Sequence, residues 1–355
     1  MNTTMKRLQI LRTILSEKNI QALLISQPEN RYYLSNFSGS AGYLLITQDK
    51  QLLATDFRYV EQVKRQSPAY RLFEIKGEMT KWFPAFIDGL GLKELFFEAE
   101  DITFDKYTKL KEILALQDVE FKPSNGIIEA IRAIKEPGEI ALIERAVAVS
   151  DAAIEHISKA AFPGMTELQM AWEIEKFMRE HGSQAVPFEV IVAAGKNAAL
   201  PHHRPSGYII REGEPIIIDI GARYEAYVSD LTRTLYLGKE DRQFRLIYDI
   251  VLKAQLAAEE QIRSGMSGAE ADAIARGIIE GSGYGDKFGH GLGHGLGLAI
   301  HEKPHVGITS KDLLADGMVF TVEPGIYLSD WGGVRIEDTV TLKHGKMCIL
   351  STSRK

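Results

Sequence analysis

Four carboxylates lie inside apolar, strand-like stretches of the second half of the chain, and they constrain its fold more than any other feature. They are Asp219 in IIIDIG, Asp230 in YVSDLTRTL, Glu323 in VFTVEPG and Glu337 in GVRIEDTV. Like charges on a buried face destabilise a protein unless a cation binds them or one of them takes up a proton. The folded chain must therefore place these side chains where their charge is neutralised.

The spacing of the four carboxylates predicts two hairpins. The midpoint between the two aspartates falls at residues 224–225, beside a predicted turn, and the midpoint between the two glutamates falls in the turn-like LSDWGG. If both segments are hairpins, each pair faces across adjacent strands with Cβ atoms roughly 5 Å apart. Two such pairs in one domain favour a metal site.

Each carboxylate taken alone has a purely structural alternative. A carboxylate at a strand end often caps a turn, and two arginines stand close by in sequence. Asp230 could pair with Arg233, and Glu337 could pair with Arg335. The clustering of histidines in the same half of the chain favours the metal interpretation over these ion pairs.

Six of the nine histidines fall within residues 202–203 and 290–305. The stretch FGHGLGHGLGL offers His290 and His294 among five glycines, and dense glycine lets the backbone pass close to a ligand. A solvated, flexible loop is the alternative for either histidine alone.

The stretch HEKPH, residues 301–305, fits the zinc-peptidase pattern H-E-x-x-H. That pattern requires a helix, on which both histidines share one face. Pro304 disfavours a helix by roughly 3 kcal/mol, and the preceding GLGLAI, residues 295–300, is predicted to be a strand. The sequence therefore argues against a zinc site of this type.

The length of 355 residues and a Pro-Gly break in IRAIKEPGEI predict two domains, 1–130 and 131–355. The first alternates helix and strand patterns and is predicted to be a small α/β domain. Its predicted helices cover 5–17, 57–66, 79–89 and 104–115, and its predicted strands cover 21–26, 42–47, 51–55, 71–75 and 94–99.

The second domain is predicted to be α+β, with helices flanking a mostly antiparallel sheet. Thr166 is the predicted N-cap of its second helix. The predicted helices are 138–160, 166–181, 241–263 and 268–280, and the predicted strands are 189–193, 215–221, 229–237, 318–324 and 333–342.

Composition excludes several classes of partner and location. The net charge of -6 and the lack of basic runs argue against nucleic-acid binding. No run of 18 or more apolar residues predicts a membrane span. The single cysteine, Cys348, fits a reducing compartment, and no signal peptide is recognised, so a cytoplasmic location is expected.

The runs DIGARYEAYVSDLTRT, HGLGHGLGLAIHE, TVEPGIY and GVRIEDTV closely resemble the pita-bread metallopeptidases. Within them the match is to the aminopeptidase P and prolidase branch, which cleaves bonds on the amino side of proline. FSGSAGYLLIT and ATDFRYVEQ resemble the non-catalytic N-terminal domain of that branch, and ALPHHRPS resembles its substrate-histidine motif. The resemblance implies a pita-bread α+β catalytic domain preceded by a smaller, creatinase-like α/β domain.

The resemblance also implies a role for each matching position. The implied metal ligands are Asp219, Asp230, His294, Glu323 and Glu337. Asp230 and Glu337 would bridge two divalent ions, with Glu323 as general base.

The histidines and one arginine receive implied roles too. His202 and His301 match positions that contact the substrate and the tetrahedral intermediate, and His290 and Arg335 match supporting substrate-site positions. One departure is His203, where the family often has glycine, and it bears on the shape of the substrate pocket.

The implied cofactors are two divalent metal ions per chain. Four carboxylates and one imidazole favour Mn²⁺, with Co²⁺ or Zn²⁺ as alternatives. The implied substrates are small peptides with proline at the second position, either dipeptides or longer peptides, and the implied assembly is a homodimer.

Three alternatives remain open on the sequence. The first is a metal-independent, creatinase-like hydrolase, in which the ligand positions would be replaced. The second is an aminopeptidase without proline specificity, such as a methionine aminopeptidase. The third is a catalytically silent interaction protein on the same scaffold.

Overall fold

The computed structural model describes residues 3–355, which divide into one compact unit up to Arg132 and a second from Ala133 to Lys355. Each unit has its own hydrophobic core. Among residues 3–355, no helix combines the length and the apolar character that a membrane span requires.

The first unit is built on a six-stranded sheet in the order β4-β3-β2-β1-β5-β6. Its helices are α1 (Thr3–Glu17), α2 (Pro28–Ser35), α3 (Val60–Gln66), α4 (Met79–Ile87), α5 (Phe104–Ala115) and α6 (Ile127–Ala133). Its strands are β1 (Ala22–Ile25), β2 (Tyr43–Thr47), β3 (Gln51–Thr55), β4 (Arg71–Glu74), β5 (Glu94–Glu98) and β6 (Glu120–Ser124).

The sheet of the first unit is mixed, which confirms the predicted α/β class. β1 pairs antiparallel with β2 and parallel with β5. The elements α2, β6 and α6 were not predicted from the sequence. Strand β6 is short and contains Pro123, which a strand tolerates at a sheet edge, and β6 is an edge strand.

The second unit combines four helices with antiparallel sheets. The helices are α7 (Pro137–Ala160), α8 (Glu167–Glu180), α9 (Arg242–Gln261) and α10 (Gly268–Gly281). The strands are β7 (Ile191–Ala194), β8 (Pro215–Ile220), β9 (Arg223–Tyr224), β10 (Tyr227–Val228), β11 (Leu231–Tyr236), β12 (Gly293–Gly295), β13 (Glu302–Val306), β14 (Val319–Val322), β15 (Gly325–Leu328), β16 (Gly332–Arg335), β17 (Asp338–Lys343) and β18 (Lys346–Ile349).

Two sheets of the second unit carry or directly adjoin the five predicted metal ligands. One has the strand order β11-β8-β7 and the other the order β13-β12-β14-β17-β18. Helices α7 and α8 pack apolar side chains such as Ile154 and Ile174 against the first sheet. Helices α9 and α10 pack residues such as Val251 and Ala275 against the second. Burying each of the larger aliphatic side chains, such as Ile154 or Val251, stabilises the fold by roughly 1.5–3 kcal/mol.

Local capping explains where the helices of the second unit begin. The side chain of Thr166 accepts a hydrogen bond from the backbone of Gln169, which confirms the predicted N-cap of α8. The side chain of Gln169 returns a bond to the backbone of Thr166. Ser267 and Glu270 form the same reciprocal capping box at the start of α10.

The predicted strand GLGLAI is wrong. Residues 297–301 form bends, and the strands of this region are β12, which ends at Gly295, and β13, which begins at Glu302. The two strands approach so closely that a Cβ on Gly295 would lie 2.1 Å from the carbonyl oxygen of Lys303. The glycines therefore serve close backbone approach rather than a regular alternating strand.

Candidate metal centre

A cleft of about 440 Å³ in the second unit brings together all the site residues that the sequence predicted. Four carboxylates, four histidines and one arginine of that set line it. They are Asp219, Asp230, Glu323, Glu337, His202, His290, His294, His301 and Arg335. The geometry of this set decides which chemistry the cleft supports.

The aspartates come from a long hairpin made by β8 to β11. Asp219 lies on β8 opposite Thr232, and Asp230 directly precedes β11. The prediction that the two aspartates face each other is therefore wrong by two residues, because the turn centres on Glu225 and Ala226, both with positive φ. A two-residue offset keeps both carboxylates on the same face of the hairpin.

The glutamates come from a second hairpin whose predicted register is confirmed. Val322 on β14 pairs with Asp338 on β17, so the neighbouring residues Glu323 and Glu337 stand opposite each other. The same register continues into β15 and β16.

His294 lies on β12 and directs one ring nitrogen at the carboxylates. Its Nε2 is 3.5 Å from Asp230 Oδ2 and 3.5 Å from Glu323 Oε1. Burial lowers the pKa of His294 below its ordinary value, so the ring is neutral near pH 7. Its Nδ1 donates to the carbonyl of Gly295, so the Nε2 lone pair faces carboxylate oxygens. A cation between these atoms would be attracted to every one of them.

The carboxylates of the cleft are electrostatically costly as they stand. Burial, followed by the negative charge of Glu337, raises the pKa of Asp230 well above its ordinary value. Burial, followed by the charge of Glu323, raises the pKa of Glu337 in the same way, and burial also raises the pKa of Glu323. A bound divalent ion would reverse this cost.

The donor set therefore fits a metal ion. Single ligand atoms of Asp230, His294 and Glu337 lie within 4.8 Å of one another. Asp219 Oδ1 is buried and has no hydrogen-bond partner among residues 3–355, whereas its Oδ2 accepts from Arg335 at 2.7 Å. An unpartnered buried carboxylate oxygen beside three further ligands is expected where an ion completes the site.

A chain of hydrogen bonds supports Asp219 and contains Tyr327, which the sequence analysis did not single out. Arg335 donates to Asp219 and, at 3.0 Å, to the hydroxyl of Tyr327. Burial lowers the pKa of His290, and the neutral ring donates from Nδ1 to the carbonyl of Gly291. Its Nε2 therefore accepts from the hydroxyl of Tyr327 at 2.8 Å.

The structure rejects both simple ion-pair alternatives for the carboxylates. Arg335 pairs with Asp219 and not with Glu337. Arg233 pairs with Asp338 at 2.7 Å and not with Asp230. Neither arginine neutralises the carboxylate next to it in sequence.

Two further histidines stand at the open side of the cleft. The ring of His301 lies with its centroid 4.2 Å from that of His294. His202 is exposed, on a loop whose next residue, His203, bonds through Nε2 to Glu167 at 2.9 Å. Glu167 was not predicted, although the N-cap just before it was.

The HEKPH motif is not on a helix, as its proline predicted. It forms β13 from Glu302 to Val306, directly after His301. Glu302 points to Lys135, with Nζ and Oε2 3.4 Å apart, and does not line the cleft. His305 lines the cleft but is not part of the compact ligand group.

Comparison with known families identifies both halves of the chain. Residues 141–344, more than half of the sequence, match Metallopeptidase family M24. Residues 7–134 match the Creatinase/Prolidase N-terminal domain.

Full-length relatives agree with both matches. A protein named Xaa-Pro dipeptidase of Pyrococcus furiosus is 36% identical over 99% of each chain. The solved structure of an Xaa-Pro dipeptidase from Bacillus anthracis has a TM-score of 0.96 at 39% identity, covering 99% of this chain and 98% of that one. An X-Pro aminopeptidase structure from Thermotoga maritima has a TM-score of 0.90 at 34% identity, covering 98% of both.

The ligand-rich cleft, the two family matches and the full-length relatives agree with one another. This chain belongs to metallopeptidase family M24, with a Creatinase/Prolidase N-terminal domain, and is a metal-dependent peptidase.

Proposed function

We propose that this enzyme hydrolyses the peptide bond between an N-terminal residue and a following proline. The observation that carries the proposal is the convergence of five candidate ligands and three further histidines in one cleft. Relatives and structural neighbours that are named Xaa-Pro dipeptidase or Xaa-Pro aminopeptidase support the choice of substrate. Both names occur, so dipeptides and longer peptides are both candidate substrates.

Two divalent metal ions are the proposed cofactors, with Mn²⁺ preferred and Co²⁺ or Zn²⁺ as substitutes. The residues that would hold them are Asp219, Asp230, His294, Glu323 and Glu337. An oxygen-rich set with one imidazole suits Mn²⁺. When bound, such ions lower the pKa of a coordinated water and polarise the carbonyl of the scissile bond.

The chain supplies the proton transfers. Glu323 is the proposed general base, because its carboxylate lines the cleft with Oε1 3.5 Å from His294 Nε2, where it could accept a proton from the attacking water. His202 and His301 line the open side of the cleft and are proposed to support the charge that develops on the carbonyl oxygen. His290 and Arg335 are proposed to orient the substrate through the hydrogen-bond chain described above.

The preference for proline follows from what the bond lacks. An Xaa-Pro amide has no N–H, so a site that depends on a hydrogen bond to that group rejects it. The cleft is also lined by the apolar side chains Phe188, Ile191 and Pro201, which suit a pyrrolidine ring. His203 also lines the cleft, where it narrows the space that a glycine would leave.

We further propose that residues 1–130 form a non-catalytic domain and that 131–355 carry the activity. Every predicted site residue lies in the second segment, which supports this division. The proposed assembly is a homodimer in the cytoplasm. The single cysteine, Cys348, is exposed and free, as suits a reducing compartment. Light scattering and cell fractionation test these two proposals.

A length series of peptides tests the substrate. The purified chain is stripped with chelator, reloaded with Mn²⁺ and incubated with Gly-Pro, Ala-Pro-Ala, a longer Xaa-Pro peptide and Ala-Ala-Ala. Metal-dependent release of only the first residue from the proline peptides is expected, and mass spectrometry measures it. Cleavage of Ala-Ala-Ala at an equal rate would instead indicate an aminopeptidase without proline specificity.

The variant Glu323→Gln tests the proposed general base. Loss of a general base is expected to lower kcat by about 10²–10⁴-fold. The circular dichroism spectrum should not change. A near wild-type rate would remove Glu323 from its proposed role. No cleavage by the folded, metal-loaded wild type would favour a silent interaction protein.

A further inference from the structure

The last six residues, Leu350–Lys355, form no regular element, yet they bond to four elements of the second unit. We call this segment the C-terminal strap. It begins beside β17, where Leu350 N donates to the carbonyl of Thr339 and Thr339 N donates to the hydroxyl of Ser351. β17 starts at Asp338, directly after Glu337. The strap therefore meets the strand that carries one of the candidate ligands.

A buried carboxylate on α7 anchors the middle of the strap. Asp151 accepts from the backbone of Thr352 at 2.7 Å, from its hydroxyl at 2.8 Å and from the backbone of Ser353 at 2.9 Å. Hydrogen bonds to an ionised carboxylate are among the stronger ones in proteins. Asp151 contacts none of the candidate ligands in these bonds, so it can be altered without touching them.

Arg233 on β11 joins the strap to the ligand strands. Its Nε donates to the carbonyl of Arg354, and its Nη2 donates to the carbonyl of Ser353 and to Asp338. Its Nη1 donates to the carbonyls of Thr232 and Glu337. One buried guanidinium thus fixes the backbone at Glu337 and the strap together.

Lys355 completes a group of charged side chains at the end of the strap. Its Nζ is 2.7 Å from Asp338 and donates to both oxygens of Glu259 on α9. Arg233 and Lys355 are both cationic partners of Asp338, and Lys355 also pairs with Glu259. Removing one member of a buried charged group leaves its partner uncompensated, which is strongly destabilising at that point.

The effect of this network reaches two candidate ligands. The hydroxyl of Thr232 donates to Glu337 Oε2 at 2.7 Å, and that of Thr339 donates to the carbonyl of Asp230 at 2.8 Å. Both threonines belong to strand segments that Arg233 or the strap bonds directly. None of the strap residues, all of which the structure describes, lines the cleft.

We propose that the C-terminal strap is a positioning element for the metal centre, acting through Arg233 and Asp338 on Glu337 and Asp230. The inference rests on the metal centre of the proposed function. It adds a structural reason for the affinity of that centre for metal ions. Outer residues that orient metal ligands typically change metal affinity by about 10–100-fold when altered. The strap residues are therefore positioning residues and not catalytic ones.

Two variants of the full-length chain test the proposal at different points of the strap. Lys355→Met removes the positive charge of the Lys355 side chain. Asp151→Asn weakens the hydrogen bonds between α7 and the middle of the strap. Titration calorimetry with Mn²⁺ on chelator-stripped protein, without substrate, is expected to give at least tenfold weaker binding for both variants. Lys355→Arg should restore the affinity.

Lys346→Met is the matched control, because Lys346 is an exposed lysine on β18. Its Mn²⁺ affinity should equal that of the wild type. Variants that keep the wild-type circular dichroism spectrum and the wild-type affinity would overturn the proposal. Unfolding of both variants would also overturn it, since the strap would then only stabilise the fold.

The same titration separates this inference from the proposed function. If the wild type binds Mn²⁺ and the two variants bind it more weakly, the strap proposal holds even when no Xaa-Pro peptide is cleaved. A wild type that binds no Mn²⁺ would overturn both.

Discussion

His301 directly precedes β13 and His305 lies on that strand, four residues further along, and of the two His301 has its ring against that of His294. His305 is the cross-strand neighbour of His294, yet it stands outside the compact ligand group. We predict that His305→Ala leaves the content of bound metal unchanged, whereas His294→Ala loses metal. Elemental analysis of the metal-reconstituted proteins measures this. Metal loss in His305→Ala would restore HEKPH as a binding motif.

Single residues of the site were predictable where burial and charge conflict in the sequence. Glu323 and Glu337 stood out because carboxylates are rare inside apolar strands. Tyr327 did not stand out, because a tyrosine in a strand is ordinary and only its bonds to Arg335 and His290 give it importance. Such long-range bonds leave no local trace in the sequence.

Glu98 in the first unit predicts a pH dependence of stability. It accepts bonds from the backbone of Ser26 and Gln27 and from the side chain of Asn30. Burial nevertheless raises the pKa of Glu98 to about 7. The folded state therefore keeps a proton that the unfolded state releases above about pH 4.3. Stability should fall as the pH rises from there to about 7 and then level off, by up to about 3 kcal/mol.

Urea unfolding at a series of pH values measures this effect through Trp82, with Trp172 and Trp331 replaced by phenylalanine. Glu98→Gln should flatten the pH dependence, because an amide does not titrate in this range. Glu100→Gln, at an exposed position, is the control and should keep the wild-type slope. Equal slopes in all three proteins would contradict the assignment to Glu98.

At the scale of elements, the two hairpins show what sequence spacing can and cannot fix. The glutamate hairpin was predicted in its observed register, because its midpoint at Asp330 falls in the turn between β15 and β16. The aspartate hairpin was placed two residues off, because its turn uses Glu225 and Ala226 at positive φ, where Gly or Asn is usual. The prediction that both aspartates lie on the same face is unaffected by this offset, since side chains alternate between faces with period two.

The strand predicted at residues 295–300 failed for a different reason. A Cβ on Gly293 would lie 2.0 Å from the carbonyl oxygen of Thr321. The glycines of this region are required by close contacts with residues distant in sequence. An alternating pattern of leucine and glycine cannot reveal such contacts. Helix predictions fared better, since caps such as Thr166 and Ser267 are local signals.

Helix α8 and the loop that carries His202 meet at a single carboxylate. Glu167 accepts bonds from the backbone of Ala194, from the side chains of Asn197 and His203, and from the backbone and hydroxyl of Ser206. Although burial alone would raise the pKa of Glu167, these bonds hold it below its ordinary value. One side chain thus holds the chain on both sides of His202, from Ala194 to Ser206.

We predict that Glu167→Ala lowers kcat/KM at least tenfold while the bound metal stays stoichiometric, because the wall with His202 loosens and the ligands do not move. Glu180→Gln, an exposed change at the end of the same helix, should have no effect. Peptide hydrolysis and elemental analysis of the same samples decide the outcome. Loss of metal in Glu167→Ala would mean that this carboxylate supports the whole centre.

At the scale of the whole molecule, the buried carboxylates that favour metal binding make the metal-free fold less stable. Burial and mutual repulsion raise the pKa values of Asp230, Glu323 and Glu337, so the metal-free fold becomes less stable as the pH rises above their unfolded values near 4. Metal that binds only the folded state offsets this cost, by about 2.7 kcal/mol at a concentration 100 times Kd. The family assignment therefore predicts a protein whose stability depends on its cofactor.

The variant Glu337→Gln tests, at pH 8, whether the buried charge destabilises the metal-free fold and is offset by bound metal. In chelator, the variant should unfold at a higher temperature than the wild type, because one buried charge is gone while its oxygen can still accept from Thr232. With Mn²⁺ the order should reverse, since only the wild type binds the metal well. For a domain of about 150–250 residues, a range that includes the second unit, each kcal/mol shifts the midpoint by about 2–4 °C.

Calorimetry on both proteins, with and without metal, measures the reversal. Glu189→Gln is the matched control, because Glu189 lines the same cleft but is exposed and pairs with Arg204. It should follow the wild type in both conditions. A Glu337→Gln variant that is less stable than the wild type in chelator would contradict this prediction. It would show that the buried carboxyl groups already share protons well enough to stabilise the metal-free cleft. The metal would then be bound by a centre that is stable without it.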